Sequence, residues 1–276
     1  MQELNDRVAV VTGAASGIGL ATTEAFVAEG IKVAMADIEE DALATQAARL
    51  EAAGADVLGV LCDVRDPESV AGVAEQTLSH FGGVDIVFNN AGVAPGGPML
   101  ETSAADWRWA VDVNILGVAH GVTTFGPLLA EQGHGHIINT ASEAGLSTTP
   151  VLGMYCATKH AVVGMSEALY KEVSPLGVGV SVLCPNLVKT SIFDSERNRA
   201  DYDRSLEHAP TMSMLREVIA TGGIGAEVVG AAVVDAIRAD RFWILTHEQT
   251  LASASVRFED LQAGRNPTMD AIQRSE

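Results

Sequence analysis

Tyr155 and Lys159 stand four residues apart in a segment whose spacing predicts a helix over about 152–173, and Ser142 lies just beyond a predicted strand at 136–140. One helical turn brings side chains at i and i+4 to the same face. A tyrosine titrates near a pKa of about 10, too high for a base at neutral pH, whereas a neighbouring cation favours the phenolate. Lys159 is spaced to supply that cation. If the Ser142 hydroxyl holds a substrate oxygen and disperses the charge that develops there, Tyr155 can give or take the proton of a carbonyl/alcohol pair. Taken alone, the Tyr/Lys pair equally fits a surface turn with two snorkelling side chains.

A second pattern binds rather than reacts. Thr12-Gly13-Ala14-Ala15-Ser16-Gly17-Ile18-Gly19 falls between a predicted strand, 8–11, and a predicted helix, 17–29. Glycines there allow unusual dihedrals and close approach of the backbone to a diphosphate, which the helix N-terminal amides hold without needing net positive charge. Asp37 closes the next strand, about twenty residues on, where an acid accepts from adenosine-ribose hydroxyls and repels a 2′-phosphate. No Arg or Lys occurs over 13–19 or at Ile38, so the expected cofactor is NAD rather than NADP. The competing reading of Asp37 is a helix N-cap ahead of Glu39 and Glu40.

The elements that must carry these groups alternate regularly. Predicted strands at 8–11, 32–36, 56–61, 84–88, 136–140, 179–183 and 242–246 are separated by helices at 17–29, 39–53, 67–80, 103–130, 152–173 and 226–239. Helical crossovers of this length call for parallel pairing, hence an α/β doubly wound, Rossmann-like sheet of about seven strands covered on both faces. The expected organisation is a single domain over 1–276. Residues 186–225 break the rhythm and read as a substrate loop or lid carrying Met212 and Met214. The tail, 247–276, packs on the domain or on a neighbour.

The net charge of −19 argues against nucleic acid. The opening residues lack the pattern of a secretion signal, and no apolar run of membrane-spanning length is evident, so a cytoplasmic location is expected. Cys62, Cys156 and Cys184 have no CxxC spacing and read as core thiols. His134 and His136 lack a third ligand, so no metal is expected and a solvent-facing turn is the simpler reading. Glu143, next to Ser142, touches a polar substrate or faces water.

Together, the Gly-rich turn, Asp37, Asn89-Asn90-Ala91-Gly92, Asn114, Ser142, Tyr155 and Lys159 resemble the short-chain dehydrogenase/reductase family over roughly 7–246. The resemblance implies a hydride transfer between NAD(H) and a secondary alcohol or ketone. It implies catalytic roles for Asn114, Ser142, Tyr155 and Lys159, with Asn114 holding a water in the proton relay and Lys159 also binding the nicotinamide ribose. It implies cofactor contacts from Gly13, Ser16, Gly17, Ile18, Gly19, Asp37, Asp63, Val64, Asn90, Ala91, Gly92, Tyr155, Lys159, Pro185, Val188 and Thr190. Asn89 would brace the central strands.

One departure stands out. Pro185-Asn186 replaces the family's Pro-Gly, and Asn is the residue best able to substitute in a left-handed turn. Val151, Leu152, Met154, Leu187, Ile192 and Phe193 suggest a mainly apolar or cyclic small-molecule substrate. Trp107 and Trp109 lie on the helix through which the family often forms dimers or tetramers, so a homo-oligomer is expected. An NADPH-dependent 3-ketoacyl reductase and a non-catalytic dinucleotide sensor are the alternatives.

Overall fold

The computed structural model of the chain describes residues 1–199 and 210–268, and over 210–214 the backbone alone. Seven strands, β1 (Val8–Thr12), β2 (Lys32–Asp37), β3 (Val57–Leu61), β4 (Ile86–Asn89), β5 (Gly135–Thr140), β6 (Val178–Cys184) and β7 (Trp243–Leu245), form one sheet in the order β3-β2-β1-β4-β5-β6-β7. Every pairing is parallel. The β-branched and aliphatic runs of β1, β4 and β5 are buried on both faces, which is what a helix-covered parallel sheet demands.

The helices are α1 (Gly17–Ala28), α2 (Glu40–Ala52), α3 (Pro67–Phe81), α4 (Ala104–Val111), α5 (Gly117–Gln132), α6 (Gly153–Val173), α7 (Pro210–Gly222), α8 (Ala226–Ala239) and α9 (Gln249–Ala263). Side chains of β1 alternate between two cores. Ala9 and Val11 join Phe26, Met35, Val233 and Ile237 on one face, while Val10 joins Phe125, Leu129, Ile137 and Val180 on the other. The chain runs outward from β1 through β2 and β3, then returns to start β4 on the opposite side of β1. The loops after β1 and β4 therefore diverge and leave a crevice at the carboxyl ends of these strands, where α/β sheets bind ligands.

Three sequence expectations change here. His136 is no surface turn residue: it sits within β5, 1% exposed, with Nε2 2.7 Å from the Ser181 hydroxyl, and burial lowers its pKa to about 4. The strand predicted at 136–140 already contains His136; its burial comes from β6 lying beside β5. The stretch Ala104–Gln132 is by length and composition apolar enough to cross a bilayer, against the expectation that no such segment exists. Its apolar residues Val113, Val118, Phe125 and Leu129 are instead buried in the two-faced core. Asn186, finally, does not adopt positive φ among the described residues. Its position makes no left-handed demand, and its amide points to His247 Nδ1 at 3.4 Å. All three cysteines are free and buried, as expected.

Candidate active site

The crevice is a cavity of about 1110 Å³ bordered by the ends of β1, β2, β4, β5 and β6 and roofed by residues after β6. Its floor is the turn after β1. Gly13 and Gly17 hold φ of +67° and +54°, which only glycine adopts without cost. Ser16 stands at the N-cap of α1 with no capping side-chain bond, and Ser16, Gly17 and Ile18 line the crevice, so the first-turn amides that a helix cannot satisfy internally open onto it. This cradle fits a dinucleotide diphosphate. A Cβ on Gly13 would lie 3.0 Å from the Ala91 Cα, closing the approach between the β1 and β4 loops.

Gly19 was expected to contact the cofactor, but it does not line the crevice. Its role is packing: a Cβ there would fall 2.0 Å from the Gly13 carbonyl oxygen and 2.6 Å from Asn90 Nδ2. Gly19→Ala must therefore push the Gly13 peptide out of place. The expected outcome is a loss of about 1–3 kcal/mol of stability, as for other overpacked sites, together with weaker dinucleotide binding. Thermal denaturation and NADH titration of the variant check both, and an unchanged NADH affinity would refute the packing role.

The β4 loop is tied to the same turn. Thr12 Oγ1 accepts from the amides of Asn90 (2.9 Å) and Ala91 (3.1 Å), and Asn90 Nδ2 donates to the Thr12 carbonyl at 3.0 Å. Beneath it, Asn89 Nδ2 donates to Asn139 Oδ1 (2.9 Å) and Asn139 Nδ2 to Ser166 Oγ (3.0 Å), a buried polar brace across β4, β5 and α6. Thr12 heads the turn read from the sequence, whereas Asn139 carries no signature there; the bonds of both appear only when β1, β4 and β5 are adjacent.

Asp37 holds two backbone amides and does not cap α2, whose N-cap is Glu39. One carboxylate oxygen accepts from the Ala15 amide at 2.8 Å, shaping the glycine turn, and the other accepts from the Glu39 amide at 3.0 Å at the approach to α2. It still borders the crevice, with Ile38 and Glu39 beside it and Asp63 and Val64 across from it. Asp63 is gripped by Arg65 through bonds of 2.6–3.0 Å; although partial burial acts the other way, that arginine keeps its carboxyl below the usual range. Positions 13–19 and 38 carry no cation, yet one reaches this end from elsewhere in the chain. Arg197, far away in sequence, bonds the Glu39 carboxylate.

At the reacting end, α6 presents Tyr155 and Lys159 on one face, as i and i+4 require, next to its N-cap residue Leu152. Met154 lies off that face and is buried, 3% exposed, and neither it nor Val151 lines the crevice, contrary to expectation. Lys159 is 3% exposed; Nζ donates to the Thr140 carbonyl at 2.9 Å and lies 5.6 Å from the centre of the Tyr155 ring. Ser142 Oγ accepts from the Ala144 amide (3.1 Å) and donates to the Pro185 carbonyl (3.3 Å), which fixes the hydroxyl at the crevice wall.

The electrostatics differ from the simple expectation. Burial raises the Tyr155 phenol to about 12, against the lowering effect of a hydrogen bond with Ser142. Burial lowers the Lys159 ammonium to about 8. Desolvation thus outweighs the attraction expected between phenolate and ammonium, and it favours neutral forms of both groups.

Asn114 sits in a π turn, Asp112–Leu116, that interrupts the continuous helix from α4 to α5; such turns re-aim side chains at functional positions. Its amide is fully engaged: Nδ2 donates to the Val93 carbonyl (2.9 Å) and Thr158 Oγ1 (3.0 Å), and Oδ1 accepts from the Val93 amide (2.9 Å). Asn114 is entirely buried and does not border the crevice. Its side chain is therefore a brace between the β4 loop and α6, a role that the resemblance had not implied.

Gly92, Ala91, Pro185, Val188 and Thr190 border the crevice, as do Leu187, Ile192, Phe193, Leu215 and Ile219. The last five pack with Ala94, Leu152 and Tyr155 into one apolar cluster above the tyrosine. Glu143 also borders it. The expected lid is held down by Ala94 N to Ser195 Oγ (3.1 Å), by Arg199 to Asp106 (2.6 Å) and by the Arg197 link; its portion at 200–209, with the side chains of Met212 and Met214, lies outside the described residues. Within the tail, α9 brings Ser253, Val256 and Arg257 to the border of the same crevice, while its Leu251, Phe258 and Leu261 are exposed.

Comparison with known proteins agrees with this geometry. A family model described as short chain dehydrogenase matches residues 7–201. A short-chain dehydrogenase/reductase from Burkholderia phymatum, solved in complex with NAD, superposes with a TM-score of 0.93 at 43% identity, over 98% of this chain and 99% of that one. The 1-deoxy-11-beta-hydroxypentalenate dehydrogenase of Streptomyces exfoliatus is 35% identical over 264 residues, covering 94% of this chain and 89% of its own. The 2,5-dichloro-2,5-cyclohexadiene-1,4-diol dehydrogenase of Sphingobium indicum is 36% identical over 209 residues, 75% and 81% of the two chains.

Proposed function

Since the chain belongs to the short-chain dehydrogenase/reductase family, we propose that it is an NAD-dependent dehydrogenase of secondary alcohols, working also as the matching ketone reductase, on a mainly apolar or cyclic substrate. The observation that carries this reading is the meeting, in one crevice, of Tyr155, Ser142 and Lys159 with an apolar roof on one side and a glycine cradle on the other. The bound cofactor supplies the hydride or accepts it.

Everything else falls to the chain. Gly13, Ser16, Gly17, Ile18 and Thr190 would hold the diphosphate. Asp37, Asp63 and Val64 would hold the adenosine, and Asn90, Ala91, Gly92, Pro185 and Val188 would line the nicotinamide half. Ser142 would orient the substrate oxygen, and Tyr155 would pass a proton to or from it. Lys159 would hold the nicotinamide ribose and support the Tyr155 charge. Asn114 serves this relay by bracing Val93 and Thr158.

The apolar cluster of Leu152, Leu187, Phe193, Leu215 and Ile219 supports a substrate with little polar surface beyond its reacting oxygen. Cyclic alcohols fit that description, and the names of two similar dehydrogenases point the same way. The same reading includes a cytoplasmic homo-oligomer, dimer or tetramer, with no nucleic-acid or membrane partner. It is supported by the net charge of −19 and by the exposed Leu100, Phe258 and Leu261, which a second copy would cover.

The test is a side-by-side titration with NADH and NADPH, followed by turnover of a panel of secondary alcohols. The expected result is tighter NADH binding and turnover of hydrophobic and cyclic alcohols over small polyols. Turnover confined to polyols would overturn the substrate class, and a preference for NADPH would overturn the role of Asp37.

A further inference from the structure

Arg197 approaches the acidic end of the cofactor crevice from the lid, 158 residues away from its partner Glu39. Its guanidinium is already fixed without that partner: Nη1 donates to the Asp194 carbonyl at 3.0 Å and the Ser191 carbonyl at 3.4 Å. Of its remaining donors, on Nε and Nη2, Nη2 points to the crevice side and bonds Glu39 Oε1. Asn198 Nδ2 donates to the same carboxylate oxygen at 3.0 Å, so Glu39 is held from two neighbouring lid residues. Glu39 is two residues past Asp37, and both border the crevice together with Ile38.

An arginine fixed by two carbonyls and aimed with a free donor at the ribose side is what a protein uses to recognise a phosphate. Here that donor is consumed by a carboxylate. Arg65, which borders the crevice beside Asp63 and Val64, is likewise paired with a carboxylate, that of Asp63.

We infer that Glu39 is a second determinant of cofactor choice, which acts by neutralising Arg197 and so denying a ribose 2′-phosphate the cation it needs. Asp37 repels the phosphate, whereas Glu39 removes its partner. The proposal rests on the adenosine lying beside Asp37, as in the functional reading above. It also accounts for the two-point attachment of Glu39, since charge neutralisation by a mobile carboxylate would be incomplete.

The experiment is calorimetric titration of cofactor-free protein with 2′,5′-ADP and with 5′-ADP, for wild type, Glu39→Gln and the double variant Glu39→Gln/Arg197→Gln. Glu39→Gln is expected to tighten 2′,5′-ADP by about tenfold or more, the equivalent of one new charge-assisted hydrogen bond. Its affinity for 5′-ADP should stay at the wild-type level, and the double variant should lose the gain. The gain should also shrink in high salt.

No tightening in Glu39→Gln would overturn the proposal. So would equal tightening of both nucleotides, which would mark Glu39 as a latch of the lid, or a gain that survives removal of Arg197. If wild type binds neither nucleotide, the siting of the adenosine falls and this proposal with it. Normal 5′-ADP binding with no effect of Glu39→Gln would remove the proposal alone.

Discussion

Tyr155→Phe is expected to lower kcat by about 10²–10⁴-fold in both directions while leaving NADH affinity nearly unchanged, because it deletes one proton donor and no packing volume. The ring keeps its place beside Leu152 and Phe193 in the apolar cluster. A matched fall in NADH affinity would instead show that the hydroxyl holds the cleft together.

The protonation states sharpen the prediction. With the phenol raised to about 12, Tyr155 is protonated throughout the neutral range. Ketone reduction, which needs the acid, then runs at full rate at pH 7. Alcohol oxidation, which needs the phenolate, draws on a minor species whose population grows about tenfold per pH unit below that value. The oxidative kcat should therefore climb from pH 7 to 8 and flatten above pH 8, where Lys159 loses the proton whose charge supports the phenolate, while the reductive kcat stays level and declines above the same pH. Tyr155→Phe should flatten the oxidative limb; a climb that persists in the variant would assign the base elsewhere.

How much of this was legible beforehand depends on whether a residue's role is local. The Gly13–Gly19 turn, Asp37 and the Tyr155/Lys159 spacing are read within one strand, turn or helix, and the folded chain brings them to one crevice. The seven parallel strands were equally legible, since each is a short apolar run bounded by turns. What escaped is what joins distant segments. Thr12 gains its meaning from Asn90, Asn114 from Val93 and Thr158, and Arg197 from Glu39. His136 was misjudged for the same reason, since its burial depends on β6 lying beside β5.

The direction of the Tyr155 shift was also beyond the sequence. Spacing reveals that a lysine is near, and it favours the phenolate. How much water both groups lose is set by the lid and α6 together, and that loss carries the opposite sign. Met154 illustrates the angular limit: it is adjacent to Tyr155 in the chain, yet about 100° around the helix, which turns it into the core.

Lys159→Met should separate catalysis from stability. Removing the ammonium takes away the charge that supports Tyr155 and the donor proposed for the nicotinamide ribose, so kcat/KM is expected to fall by about 10²–10³-fold. Stability should move the other way. The folded-state pKa of Lys159 is lowered to about 8 from an ordinary 10.5, so below pH 8 the native protein carries a buried cation that the unfolded chain would hold in water. That arrangement costs about 3 kcal/mol at neutral pH, and the cost is relieved as pH rises from about 8 to 10.5, where the native state has released its proton and the unfolded state has not. Methionine has nearly the same shape without the charge and leaves the Thr140 carbonyl without its donor, a loss of about 1–2 kcal/mol. The variant should thus be as stable as wild type or more stable at pH 7, by up to about 2 kcal/mol, and should lack the wild type's gain in stability between pH 8 and 10. Urea denaturation of both proteins at pH 7 and pH 10 decides the matter. A variant several kcal/mol weaker at pH 7 would mean that the cation is stabilised by its surroundings, and the desolvated Tyr155–Lys159 pair would have to be abandoned as the source of the pH dependence.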